Sequence, residues 1–371
     1  MGTTLTREDV LAFRVRAHQL DRDAGAGTLA DTTILDTGVQ DTGPDGARWA
    51  LAIRGVDVTT VTDDDVAMAW TLRGAPHLYR RADLGAVAAA VAPLSDADAG
   101  KRIFDASKPL KEAGIGNLEA LDAIADAMRK IVTEPLVKGE VSTRLTEAMP
   151  EPYRRFCRPC NTIHLYEQTF RLSALRAGLE LQPGTSPPVL QPIPGFKPHQ
   201  RVAKRYDVIR GYLRLLGPAT QKQVSEFVDA PVKDIKAHWP EDAVEVTVEG
   251  ERRWALDLDD GGPAPAVTRL LGPYDLFLQG RDRPLLVPDP DNAKSLWPVI
   301  GRPGAVLHEG ELVAAWRPRL SHGGRAGKKL RLQIEPWRRL SAATRTSIEE
   351  QAERLAAFRG VLLTTVEYDA G

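Results

Sequence analysis

Cys157-Arg158-Pro159-Cys160 is followed by an imidazole at His164, so two thiols and one ring nitrogen lie close together in the chain. Thiolate and imidazole at such spacing suit a tetrahedral zinc site, which takes four ligands. There is no third cysteine. A fourth ligand would have to be His199 or an acid, and nothing in the sequence selects one. The same CxxC spacing serves thiol redox exchange, but the βαβ pattern that usually carries that chemistry is missing here. Two ordinary reduced cysteines are the third reading. Reduced cysteines without a metal are thus the leading expectation, with a structural zinc on Cys157, Cys160 and His164 as the alternative.

Other residues with chemical potential are charged. Lys197, Arg201, Lys204, Arg205, Arg210 and Arg214 form one basic run, and Arg317, Arg319, Arg325, Lys328, Lys329, Arg331, Arg338 and Arg339 a denser one. Such runs are usually solvated faces, yet two of them in a chain of net charge −1 permit a phosphate-contacting surface. Asp41 and Thr42 precede Pro44, and Asp and Thr are good helix N-caps with Pro favoured at the first helical position. This predicts a helix beginning near Pro44. No glycine-rich phosphate loop, HExxH or GxSxG occurs, so nucleotide hydrolysis, zincin proteolysis and α/β-hydrolase chemistry lose their usual anchors.

The elements that must position these residues can be read from periodicity and punctuation. At 371 residues the chain exceeds one ordinary core. No apolar run is long enough to cross a bilayer, and the first residues do not resemble a secretory signal, so a cytoplasmic protein with no membrane partner is expected. Thr6 and Asp9 form a capping-box pattern ahead of Val10, Phe13, Ala17 and Leu20 at helical spacing. Short helices are expected over 28–37 and 46–53, then two strands around Arg73-Gly74-Ala75-Pro76. This gives a winged helix over 1–82. A second unit with its linker, 83–198, takes helices at 83–91, 118–132, 140–149 and 163–175.

The third unit, 199–262, is the clearest. Val208, Ile209, Tyr212, Leu213 and Leu216 share a helical face, and Gly217-Pro218 ends the helix. Thr220 caps the next, Pro231 restarts a third, and 243–248 pairs with 252–256 across Glu249-Gly250. Helix, turn, helix, hairpin is the order of a winged helix, whose second helix commonly enters the DNA major groove, here with Lys233 and Lys236 available. From 263 to 371, β-compatible runs at 285–287, 305–307, 311–316 and 330–334 precede a closing helix at 348–358. The expected fold is α+β: three tandem winged helix-turn-helix modules with a small C-terminal β-barrel.

With these modules laid out, the chain resembles the winged-helix family that includes the AlkZ-type and YcaQ-type DNA glycosylases. The resemblance rests on Gly38-Val39-Gln40-Asp41-Thr42, on Arg73-Gly74-Ala75-Pro76-His77-Leu78, and on Leu271-Gly272-Pro273-Tyr274-Asp275-Leu276-Phe277-Leu278. It implies a monomeric binder of double-stranded DNA, associated with the nucleoid, acting on alkylated or cross-linked substrates in base excision repair and requiring no cofactor. The family motif is glutamine, one apolar residue, then glutamine or aspartate. Here Gln40, Asp41 and Thr42 occupy it, so an acid stands at the middle position and a hydroxyl at the last. By resemblance Gln40 would hold the attacking water with Thr42 as a second hydrogen-bonding partner, and Asp41 would face the sugar as the anionic group. Arg73, His77, Arg201, Lys204, Arg205, Lys233 and Lys236 are the expected DNA contacts. A non-catalytic damage sensor or regulator on the same scaffold is the alternative.

Overall fold

The protein is described by a computed structural model covering residues 3–43, 46–258, 262–322 and 328–369. Its first helix, Arg7–Ala17, begins at the capping box: the Thr6 backbone N–H donates to Asp9 Oδ2 at 2.8 Å, and the Asp9 N–H donates back to Thr6 Oγ1 at 3.2 Å. Its apolar face, with Val10, Leu11 and Val15, is buried in the largest core of the molecule. The expected helix at 28–37 is reduced to Ile34–Thr37, because the preceding residues are held in turns by Asp31 and Thr28. The next helix runs from Gly46 to Ala52; its expected start at Pro44 lies outside the described residues.

Strands Val66–Trp70 and Pro76–Arg80 form the expected hairpin. They do not close a separate module. Val39–Gln40 adds to the outer edge of Pro76–Arg80, and on the other side Val66–Trp70 pairs with Leu179–Leu181, which leads on to Val189–Pro192 and Leu136–Val137. One six-stranded sheet thus joins the first two units. Within the second unit, the helix expected from Ile163 starts at Glu167 instead. Thr162–Leu165 is a strand, paired with Arg154–Cys157. The β-branched Thr162 and Ile163 suit that hairpin better than a helix start.

The third unit matches its reading closely: helices Val208–Leu216, Gln221–Val228 and Val232–Ala237, then strands Val244–Val248 and Glu251–Ala255. One strand was not expected. Thr3–Leu5 runs parallel beside Val244–Val248, so the amino-terminal segment completes the sheet of the third unit.

The C-terminal region departs from the expected barrel. Its five strands, Thr268–Leu271, Gly304–His308, Glu311–His322, Lys328–Pro336 and Leu362–Tyr368, form an open sheet in that order. Helix Ala342–Phe358 contacts both edge strands and buries Ile348, Ala352 and Leu355 against the sheet, so the apolar face is covered without closure. The run at 285–287, expected as a strand, lies at a short helix, Arg283–Leu286, with Pro284 in its first turn. A short apolar run cannot by itself distinguish the two conformations. No helix of the described chain is long and apolar enough to cross a membrane.

Candidate active site

Gln40 sits at the end of its two-residue edge strand, opposite His77. The backbone there is fixed by Gly38 at φ 96°, where a Cβ would collide with the Tyr79 ring. Just beyond, the Asp41 N–H donates to Pro76 O at 2.8 Å. The three motif side chains then diverge. Asp41 Oδ1 accepts from the Ala47 N–H at 2.8 Å, which satisfies one of the free donors at the start of helix Gly46–Ala52. Gly46 permits this, since a Cβ there would overlap the Asp41 carboxylate. Gln40 Nε2 donates to Thr42 Oγ1 at 3.1 Å. Of the two candidate caps, Asp41 makes the bond and Thr42 faces Gln40.

Gln40 and Thr42 line a cavity of about 140 Å³ between the first unit and the C-terminal sheet. Trp49, Tyr274, Trp316 and Arg302 complete its principal walls. The two indoles are fixed by their N–H groups, Trp49 to Leu270 O at 2.7 Å and Trp316 to Leu271 O at 2.9 Å. Apolar walls with a few placed polar groups are the usual make-up of a ligand pocket. Asp275 also borders the cavity, but its carboxylate is held by Arg54 through two contacts of 2.8 Å, with both side chains fully buried. Burial alone would raise the Asp275 carboxyl; the Arg54 guanidinium overcomes this and holds it below the ordinary range.

Arginines gather beside this cavity. Arg302 lies over the Tyr274 ring and Arg283 over Trp297. Arg302 and, less strongly, Arg281 lie close enough to Arg283 to repel it, which adds to burial in lowering the Arg283 pKa. Among the described residues, none of the three has a carboxylate within ion-pair distance. The loop leading into Arg302 leaves Val299 98% and Ile300 88% exposed, and Arg317 Nη1 pins it by donating to Gly301 O at 2.6 Å. Arg281, Arg283 and Arg302 were absent from the sequence reading. Arg281 and Arg283 flank Asp282 in the chain, and the fold brings the distant Arg302 beside them.

The anticipated DNA contacts have varied surroundings. Arg73 is turned inward, with Nη1 donating to Phe227 O at 2.6 Å and Nη2 to Gln279 Oε1 at 2.7 Å. Burial, reinforced by nearby Arg281, lowers its pKa to about 10. His77 is 2% exposed, and its Nδ1–H donates to Ala75 O at 2.9 Å. Burial pushes that ring down to about 3, so it is neutral at physiological pH. Arg205 pairs with Asp36 at 3.0 Å, whereas Arg201, Lys204, Lys233 and Lys236 are exposed. Of the denser basic run, Arg325 lies outside the described residues. Cys157, Cys160 and His164 are brought together on the hairpin of the second unit, away from the Gln40 motif in sequence.

Comparison with known proteins agrees with this architecture. No curated protein matches the sequence. The structure is similar to that of the Streptomyces sahachiroi DNA glycosylase AlkZ, at 18% identity and a TM-score of 0.74, over 99% of this chain and 100% of that one. The family model for DNA glycosylase AlkZ-like proteins matches residues 34–358, which include both the Gln40 motif and the Tyr274 wall. The chain therefore belongs to the AlkZ-like DNA glycosylase family.

Proposed function

We propose that the chain is a monofunctional DNA glycosylase that hydrolyses the N-glycosidic bond of bulky, already cationic alkylated bases in duplex DNA. The observation that carries this reading is the Gln40 to Thr42 hydrogen bond on the wall of the cavity. With Nε2 engaged, the Gln40 Oε1 and the Thr42 hydroxyl hydrogen are left to hold a water between them. The water oxygen bonds to the sugar C1′ as the C1′–N bond breaks, and its released proton passes to solvent. The bond's electron pair goes to the base, which departs neutral. Because the leaving base starts as a cation, no strong general acid is called for, and the main task is to orient water against an oxocarbenium-like sugar.

On this reading three winged-helix units and the C-terminal sheet share the duplex. Arg281, Arg283 and Arg302 hold phosphates beside the cavity, while exposed Arg201, Lys204, Lys233 and Lys236 extend the basic contact. Val299 and Ile300 are the apolar residues best suited to enter the base stack there, as exposed wedges do in proteins that unstack DNA.

The test is abasic-site formation on duplexes carrying bulky N-alkylated or cross-linked purines. Alkali-labile sites are expected with the native protein, with Gln40→Ala slower by about a hundredfold or more. One observation favours a non-catalytic damage sensor instead: the Asp41 carboxylate is already used as a helix cap. Salt-dependent binding to alkylated DNA without base release would replace the first reading by the second.

A further inference from the structure

We propose that Cys157, Cys160 and His164 form a zinc-class metal site with three protein ligands and water in the fourth position. Their ligand atoms lie within 4.8 Å of one another. The hairpin register explains why. Cys157 stands directly opposite Thr162, and since side chains alternate along a strand, His164 projects from the same face as a diagonal neighbour. Cys160 belongs to the connecting turn, which closes through the Asn161 N–H to Arg158 O at 3.2 Å, with Asn161 at φ 49°. Around a tetrahedral zinc with Zn–S of ~2.3 Å and Zn–N of ~2.0 Å, ligand atoms are separated by roughly 3.5–3.8 Å. Closing the cluster onto a metal thus takes an adjustment of about an ångström, within reach of side-chain rotation.

The histidine is already oriented for ligation. His164 Nδ1 lies 2.8 Å from Leu165 O, and a carbonyl can only accept, so Nδ1 carries the ring proton. Nε2 then carries the ring's lone pair and faces the Cys157 thiol, with which His164 shares a side-chain hydrogen bond, the arrangement expected of a histidine held for ligation by a backbone carbonyl. Two thiolates and an imidazole select zinc over the oxygen-seeking magnesium and calcium. Among the described residues no further His, Cys, Asp or Glu joins the group, so solvent supplies the fourth ligand.

The hairpin has reason to need a staple. On its other face Phe156 pairs with Ile163, and they are 57% and 55% exposed, so beyond the buried Leu165 at its base that face covers little apolar surface. Two strands without a covered apolar face are marginal in water.

Full-length protein, purified under reducing conditions, should carry one zinc per chain by elemental analysis. After chelation it should bind one cobalt(II), giving a thiolate-to-cobalt charge-transfer band and the strong visible bands of four-coordinate cobalt. Cys160 is exposed, so Cys160→Ser should keep the native circular dichroism while losing about half of the charge-transfer intensity and at least about tenfold in affinity. His164→Ala should keep the charge-transfer band and weaken binding similarly. The proposal is overturned if the reduced, folded native protein gives no charge-transfer band, or if Cys160→Ser binds cobalt with the native spectrum and affinity.

Discussion

At the scale of single residues, the motif divides its work between a helix and a cavity. Asp41 ends on the Ala47 N–H and Thr42 on the Gln40 amide, although the two are neighbours in the chain. Their substitutions should separate accordingly. Asp41→Ala removes a cap and should lower stability by about 1 kcal/mol in denaturant unfolding, with Asp41→Asn recovering most of it. Thr42→Val leaves the cap intact but removes the partner of Gln40, so the melting temperature should hold while single-turnover base release slows about tenfold. Thr42→Ser should restore the rate. Equal rates for native protein and Thr42→Val would remove Thr42 from the water site. The motif was legible because its residues are adjacent and Gln40 keeps the first position of the family pattern, although Asp41 and Thr42 depart from it. The division of roles was not, since both Asp and Thr are good caps and only the backbone path past Gly46 decides which one reaches the helix.

Elements bring together what the chain keeps apart, and here the sequence reading was uneven. The third unit could be read almost residue by residue, because its helices have local caps and a clean apolar face and its hairpin has a tight Glu249-Gly250 turn. Strand Thr3–Leu5 was missed because its partner, Val244–Val248, is remote in sequence, and strand Leu362–Tyr368 because its parallel pairing with Lys328–Pro336 leaves no local signal. The arginines followed the same rule. Arg73 looked like a DNA contact beside a wing turn but is spent on Phe227 and Gln279, whereas Arg302 joins Arg281 and Arg283 only because the chain folds back around helix Pro290–Leu296. If these three face phosphates, Arg283→Gln and Arg302→Gln should each reduce the slope of log affinity against log salt by about one. Lys233→Gln measured alongside tests the alternative of a groove-reading third unit. A slope changed by Lys233→Gln and unaffected by the arginine variants would shift the DNA surface to that helix.

For the whole molecule, buried ion groups fasten distant parts of the chain around the cavity. Asp282 meets Arg14 of the first helix at 2.6 Å and Arg253 of the third unit's hairpin at 2.8 Å, and Arg14 also donates to the Leu216 and Gly217 carbonyls. Arg54 ties the first unit to Asp275 and touches His18 Nδ1 at 3.2 Å. A guanidinium can only donate, so that ring nitrogen accepts, and His18 must be neutral for the group to stand. Burial, strengthened by the Arg54 charge, pushes the His18 pKa down to about 3, and burial does the same for His77. Both folded values lie below the unfolded value near 6.5, so the unfolded chain binds protons that the folded chain refuses. Their contribution to stability is therefore complete above about pH 6.5 and declines as the pH falls toward 3, by roughly 1 kcal/mol per pH unit for each histidine. Unfolding midpoints in urea should drop between pH 7 and 5, above the range where most carboxylates titrate. His77→Gln should make that decline shallower, because one of the two protons is then no longer taken up on unfolding. A pH dependence unchanged by His77→Gln would show that the buried ring does not remain neutral, and the network joining Gln40's strand to its partner would have to be charged instead.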